Sequence, residues 1–215
     1  MKLYVGPLSL FSAKSRIALA EKGVEAELVF VGWSREARYE PHHPDVVALN
    51  PKRQVPVLVD GDVCVYDSTL IGEYLEERVP DPPLFPATLE ERARCRRLEA
   101  EGDEVWFPFV WNLIEQRFYP DDEQDEDLLA RTEAGLVGLY EGLEKELLSR
   151  EFLNGGFSVA DVSLFIQLHT ASVLGVRVPE RCIAVHEWYK RVSQRPSVVP
   201  VLADMTRAAA AAMAS

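Results

Sequence analysis

The chain has 215 residues, 47% hydrophobic and 27% charged, which is the composition of an ordinary globular protein with room for two modest domains. Its 35 acidic against 23 basic residues give a net charge of −12. That argues against nucleic acid and anionic membrane surfaces as partners, since both call for a basic patch.

Met1-Lys2-Leu3-Tyr4-Val5-Gly6 opens directly on a strand pattern, with no signal-peptide apolar region. Cys64, Cys95 and Cys182 are far apart and form no C-x-x-C pair, so reduced thiols in a cytoplasmic protein are expected, with no disulfide frame and no metal site. The longest apolar stretch, around Val159 to Val178, is interrupted by Asp161, Gln167 and His169. No membrane span is expected.

In chain order, Leu3-Tyr4-Val5 reads as a short strand. Residues 12–22 read as a helix carrying Ile17, Ala18 and Leu19 and stopping at Gly23. A second strand follows over 26–31. Residues 55–59 and 63–66 flank Asp60-Gly61-Asp62, a hairpin signal. Residues 69–78 then place Leu70, Ile71, Tyr74 and Leu75 on one helical face. The order β-α-β, then β-β-α, is the thioredoxin-like arrangement of a small sheet covered by helices.

Pro80, Pro82, Pro83 and Pro86 define a linker over 80–87, because so many prolines cannot propagate a helix or a sheet. Everything beyond reads as helical: 89–118, bent near Pro108, then 128–148, 158–174, 181–194 and 198–212. The expected organisation is an α/β thioredoxin-like N-terminal domain over 1–79 and an all-α C-terminal domain over 88–215. Ser158 at the N-cap and Asp161 three residues on form a capping-box variant, with Phe157 and Val162 spaced as a hydrophobic staple. His42-His43 reads as a solvated loop, and the acidic run 121–127 as a solvated linker and helix start.

Three places carry chemistry. Ser9 and Ser12 lie where the first helix begins, where orphan N–H groups and the positive dipole end favour an anion. A serine there caps the helix or donates to a thiolate, and spacing alone leaves both serines and both roles open. Pro56 stands at the start of an apolar strand in Asn50-Pro51-Lys52-Arg53-Gln54-Val55-Pro56, which frees the Val55 backbone to pair with an extended peptide. Asp67-Ser68 opens the next helix with a carboxylate and a hydroxyl, suited to the ammonium and carboxylate of a zwitterionic peptide end.

Ser9 seven residues before Arg16, Asn50-Pro51 before Gln54-Val55-Pro56, Asp67-Ser68 and Pro82-Pro83-Leu84-Phe85-Pro86 together resemble the glutathione transferase superfamily, over nearly the whole chain. The resemblance implies glutathione as co-substrate, with a cis peptide bond at Pro56. It implies that Ser9 activates the glutathione sulfur, Val55 pairs with the cysteinyl backbone, Asp67 and Ser68 hold the γ-glutamyl end, and Arg53 or Gln54 reaches the glycyl end. It further implies a small hydrophobic electrophile in a pocket drawn from Phe11, Trp106, Phe109 and Trp111, and a homodimer. Serine at position 9 points to transfer or addition, where cysteine would indicate thiol exchange. The QVP segment is shared with zeta-like isomerases, but Ser9-Leu10-Phe11 stands where those show Ser-Ser-Cys. Leu10 stands in place of a frequent proline, and Asp67 in place of the commoner glutamate. The competing readings are a glutathione-dependent cis-trans isomerase and a non-catalytic binding module.

Overall fold

In the computed structural model the described residues are 1–40 and 42–214, without the side chains of 213 and 214. They divide into two compact units, one of Met1–Leu84 joined by the chain from Arg195 onward, the other of Phe85–Gln194.

The first unit is built on a four-stranded sheet of order β2-β1-β3-β4, from β1 (Lys2–Val5), β2 (Glu27–Phe30), β3 (Val57–Asp60) and β4 (Val63–Tyr66). β1 and β2 are parallel and need a crossover, which helix α1 (Leu10–Glu21) supplies. β3 returns antiparallel beside β1, with Tyr4 opposite Val57, and β4 pairs antiparallel with β3, with Val57 opposite Tyr66. The two central strands are the apolar ones: Leu3, Val5, Val57 and Leu58 are fully buried, while Leu28, Phe30 and Val63 on the outer strands remain exposed. Gly61, at φ 60°, makes the tight β3–β4 turn that the Asp-Gly-Asp run predicts.

α1 begins at Leu10, two residues earlier than its apolar pattern suggests, because Ser9 already caps it. It ends as expected. Gly23 takes φ 63°, its N–H reaches Ala20 C=O, and the Val24 N–H reaches Leu19 C=O, the two bonds of a Schellman end. Helix α2 (Pro44–Leu49) was not anticipated; Pro44 opens it, and the His43 ring accepts the Asp45 N–H. His43 therefore caps a helix from the loop and lies tilted against Tyr4, and His42 of the same half-exposed loop pairs with Glu40 at 2.7 Å. Pro41, between Glu40 and His42, lies outside the described residues.

Helix α3 (Ser68–Arg78) buries Ile71 and Leu75 against the sheet side of the unit. From its last turn, Glu76 meets the buried ammonium of Lys22 at 2.5 Å. Lys22 also donates to Pro82 C=O at 2.7 Å, and the Leu84 N–H donates to Glu76 at 2.9 Å. The start of the proline linker is thus tied to the far ends of α1 and α3. The Asp81–Pro82 peptide is cis.

The second unit comprises helices α4 (Leu89–Glu101), α5 (Phe107–Gln116), α6 (Glu126–Leu147), α7 (Val159–Val173) and α8 (Ile183–Ser193). The long first helix is interrupted just before Pro108 by a wider π turn over Gly102–Trp106. Pro108 has no N–H, and its ring cannot face a normally placed carbonyl one turn back, so the helix widens there. Gly102 sits where a Cβ would come within 2.2 Å of Ser163 Oγ, so only glycine lets α7 pass so close.

α7 is the central helix of this unit, buried along most of its length. The capping box is formed, and Asp161 does more than cap. Its carboxylate accepts the Ser158 N–H and hydroxyl, the Leu153 N–H and the Trp188 indole N–H, all within 2.8–3.0 Å. Phe157 packs edge-on to Phe152, where the sequence spacing suggested Val162. Asp125 caps α6 through the Leu128 N–H, as the acidic run implied.

Helix α9 (Val199–Ala214) corrects the expected domain boundary, which assigned residues 88–215 to one helical domain. The chain from Arg195 onward returns to the first unit because Arg195 clamps both Glu21 carboxylate oxygens at 2.7 Å, Ser197 bonds the same group, and Asp204 pairs with Arg16. No helix among the described residues is long and apolar enough to cross a membrane.

Two predictions follow from these ion pairs. Lys22→Met strands the Glu76 carboxylate and is expected to cost about 3–5 kcal/mol in urea unfolding, whereas Lys22→Met with Glu76→Leu regains most of it. Burial opposes ionisation of Glu21, but the bonds from Arg195 and Ser197 outweigh it and hold the carboxyl below its usual value. A depressed folded-state pKa gives stability that is present above the unfolded value and lost as pH falls through the folded one. The α9 amides are therefore expected to lose protection selectively below about pH 4.

Candidate functional site

The sheet register gathers the three chemistry-bearing segments at one end of the first unit. Tyr4, Val57 and Tyr66 stand in one row across β1, β3 and β4. The chain leaves β1 there towards Gly6 and Ser9, enters β3 there from Val55 and Pro56, and leaves β4 there into Asp67 and Ser68.

Asn50 builds the middle segment. It is buried, and its N–H ends α2 on Val46 C=O. Its side chain donates to Gln54 C=O at 2.7 Å and accepts the Lys52 N–H at 2.9 Å, while its own carbonyl accepts the Arg53 N–H at 2.8 Å. This clamp turns the chain and forces Arg53 into the left-handed region, at φ 56°. Arg53 and Gln54 are exposed. The Val55–Pro56 peptide is cis, as the resemblance implies. The Val55 side chain packs against the cluster of Tyr4, Val31, Val46 and Val57. Among the described residues, neither the N–H nor the C=O of Val55 has a hydrogen-bond partner.

Asp67 holds φ 80°, another left-handed non-glycine residue. Its carboxylate accepts the Thr69 N–H at 3.1 Å, capping α3, and faces the Lys52 ammonium at 3.4 Å. Lys52 was missed by sequence reasoning; it lies inside the run from Asn50 to Pro56, and only the fold reveals its approach to Asp67. Ser68 is buried and its hydroxyl oxygen has no partner among the described residues. An unpaired buried hydroxyl costs about 1–3 kcal/mol, so its retention at a helix N-terminus calls for an explanation.

Ser9 and Ser12 part company in the structure. The Ser12 hydroxyl is fully buried and accepts the Gly6 N–H at 3.0 Å, so it faces inward and holds the loop. The Ser9 hydroxyl is partly exposed and accepts the Ser12 N–H at 3.1 Å, which leaves its own proton free to donate.

The aromatic residues fall into both units. Phe11 lies half-buried on α1, with the Lys14 ammonium 5.9 Å from its ring centre. Trp106 is 3% exposed and tilts against Tyr140 at 5.7 Å, which makes it part of the second unit's core, a correction to its expected place in a substrate pocket. Phe109 packs on Gly135, where a Cβ would come within 2.3 Å of its ring. Trp111 is 44% exposed and leans on Phe107. Among the described residues no group of three or more histidine, cysteine, aspartate or glutamate side chains could hold a metal ion.

Known proteins resemble this chain in sequence and in fold. Residues 8–78 match the family described as glutathione S-transferase, N-terminal domain. The chain is 33% identical to a stringent starvation protein A homolog of Coxiella burnetii, over 95% of this chain and 92% of that one. It superposes on a glutathione S-transferase from Rhodospirillum rubrum with a TM-score of 0.80 and 30% identity, over 94% and 91% of the two chains. A theta-class glutathione S-transferase from Xanthomonas axonopodis pv. citri, solved with glutathione bound, gives 0.81 at 25% identity, over 92% and 94%.

Asn50→Ala removes two side-chain bonds that hold the turn. It is expected to lower stability by about 1–3 kcal/mol and to raise amide exchange at Lys52 and Arg53, both measurable on the isolated protein.

Proposed function

The chain belongs to the glutathione S-transferase superfamily, and from that premise we propose that it binds glutathione at this end of the sheet and adds its thiolate to a small apolar electrophile. The observation that carries the reading is the buried, unpartnered Ser68 hydroxyl at the start of α3, on the same end of the sheet as the unpaired Val55 backbone. A γ-glutamyl carboxylate would satisfy Ser68, and an extended cysteinyl residue would satisfy Val55. Asp67, with Lys52 beside it, faces the γ-glutamyl ammonium. Arg53 and Gln54 are free in solvent to reach the glycyl carboxylate.

Ser9 is the thiol-activating group of this reading, because Ser12 is turned inward. Lowering a thiol pKa of about 8.5 by two units requires about 2.7 kcal/mol. One charge-assisted hydrogen bond of about 1.5–3 kcal/mol, plus about 0.3–1 kcal/mol from the N-terminus of α1, is sufficient. The thiol proton leaves to solvent and the sulfur forms a bond to the electrophilic carbon as a C=C π bond of the electrophile opens and its electron pair takes a proton from solvent (with an aryl halide, halide ion leaves instead), and positioning supplies the rest of the rate. Phe11, half-buried on α1, is the aromatic residue of the first unit that we assign to the electrophile. The protein acts in the cytoplasm as a homodimer in this reading. A second reading is a glutathione-binding module without catalysis; the Coxiella burnetii relative carries a name, stringent starvation protein A homolog, that states no transferase activity.

Ultraviolet titration of bound glutathione separates the serines. Ser9→Ala is expected to raise the bound thiol pKa by about one to two units, towards the free value, while Ser12→Ala lowers thermal stability and leaves that pKa unmoved. The reverse pattern would assign activation to Ser12. Ser68→Ala is expected to weaken glutathione binding about tenfold without loss of stability, since it removes a buried hydroxyl that has no partner in the free protein. Turnover of a generic aryl halide distinguishes the enzyme from the binding module, and product analysis distinguishes conjugation from isomerisation, which returns glutathione unconsumed.

A further inference from the structure

The loop that presents Ser9 is held from three sides, and only two of them lie within the loop and its helix. Gly6 is the hub. Its N–H donates to Ser12 Oγ at 3.0 Å, and its C=O accepts the Ser9 N–H at 3.2 Å. The third side is the α-carbon itself, which carries no side chain. A Cβ placed on Gly6 would lie 2.6 Å from the Tyr39 hydroxyl and 2.8 and 2.9 Å from two of its ring atoms. Such distances are well inside contact, so the Tyr39 ring occupies the space that any other residue at position 6 would fill.

Tyr39 comes from the segment between β2 and α2, remote in sequence from the loop it touches. Its ring packs against Tyr4, Val31, Val46 and Val57, the cluster that also receives Val55. Its phenol is pushed up to about 12 by burial, against which a backbone hydrogen bond from Leu8 acts in the other direction. The hydroxyl is therefore neutral throughout the working pH range and accepts from the loop backbone one residue before Ser9. One side chain thus touches Gly6 and Leu8 of the serine loop and shares a packing cluster with Val55.

We infer that Tyr39 is a positioning residue for thiol activation: its ring keyed against Gly6, and its hydroxyl bonded to Leu8, set where the Ser9 hydroxyl points. The inference rests on the assignment of Ser9 to the glutathione sulfur. Tyr39 acts through the loop and makes no claim on the substrate itself. Loss of the Tyr39 hydroxyl therefore loosens Leu8 and Ser9 while the ring still fills the Gly6 face.

Two measurements on the full chain test this. In Tyr39→Phe without ligand, amide exchange at Leu8 and Ser9 is expected to quicken about tenfold, with exchange at Ile71 in α3 unchanged. Unchanged exchange at Leu8 and Ser9 would overturn the inference whatever the ligand proves to be, and equal quickening at Ile71 would reduce Tyr39 to a general packing role. With glutathione, Tyr39→Phe is expected to raise the bound thiol pKa in the same direction as Ser9→Ala while changing glutathione affinity less than threefold. A pKa that moves in Ser9→Ala and stays fixed in Tyr39→Phe overturns positioning and leaves the serine assignment intact. A pKa unmoved in Ser9→Ala ends the serine assignment and this inference with it, whereas the exchange data would still stand as evidence on the Leu8 bond.

Discussion

The buried Lys22–Glu76 ion pair ties the end of α1 to the last turn of α3, and the placement of these two helices in the first unit depends on it. A buried ion pair gains little net stability against an apolar pair, yet neither partner tolerates loss of the other. What it secures here is relative placement. α1 and α3 are 12 and 11 residues long, and their opposite ends carry Ser9 and Asp67-Ser68. Helices locked together at one end and packed against each other hold Ser9 and Asp67-Ser68 at a set separation.

The polar groups of the chain sort by whether the fold satisfies them. Asn50 and Asp161 are fully engaged, and each organises a turn: the Asn50 side chain closes the 50–54 loop, and Asp161 joins the α7 N-terminus to Leu153 and Trp188. Among the described residues the Val55 backbone and the Ser68 hydroxyl are not engaged, and both sit at one end of the sheet. An orphan group alone does not define a site. Gln167, buried in α7 of the second unit, also has an unpartnered amide among the described residues. Ser68 differs in standing at a helix N-terminus at the same end of the sheet as the Val55 backbone, where one extended zwitterionic ligand would meet both needs.

Much of this was legible in the sequence because it rests on short-range rules. The Asp-Gly turn, the Gly23 helix end, the capping box at Ser158 and Asp161 and the proline linker each depend on residues a few positions apart. The β-α-β, then β-β-α succession followed from the first helix and the hairpin. What escaped depends on long-range partners. Trp106 reads as a pocket aromatic until Tyr140 is placed against it, and Arg195 reads as part of the helical domain until Glu21 is found opposite. α2 was missed because six residues show too little periodicity, although Pro44 before Asp45 was a usable start signal. Ser9 and Ser12 were equivalent by spacing, and only burial separates them.

The return of the chain at Arg195 has a consequence for synthesis. The ribosome makes every strand of the first unit early, but α9 emerges only after the entire helical unit has been made. Until then Arg16 and Glu21 lack Asp204, Arg195 and Ser197, and the α1 surface that α9 covers stays open to water. The nascent sheet domain must therefore wait, incomplete, while the residues of the second unit, which are contiguous, have all been made before α9 emerges. For this chain the first part translated is the last to be finished.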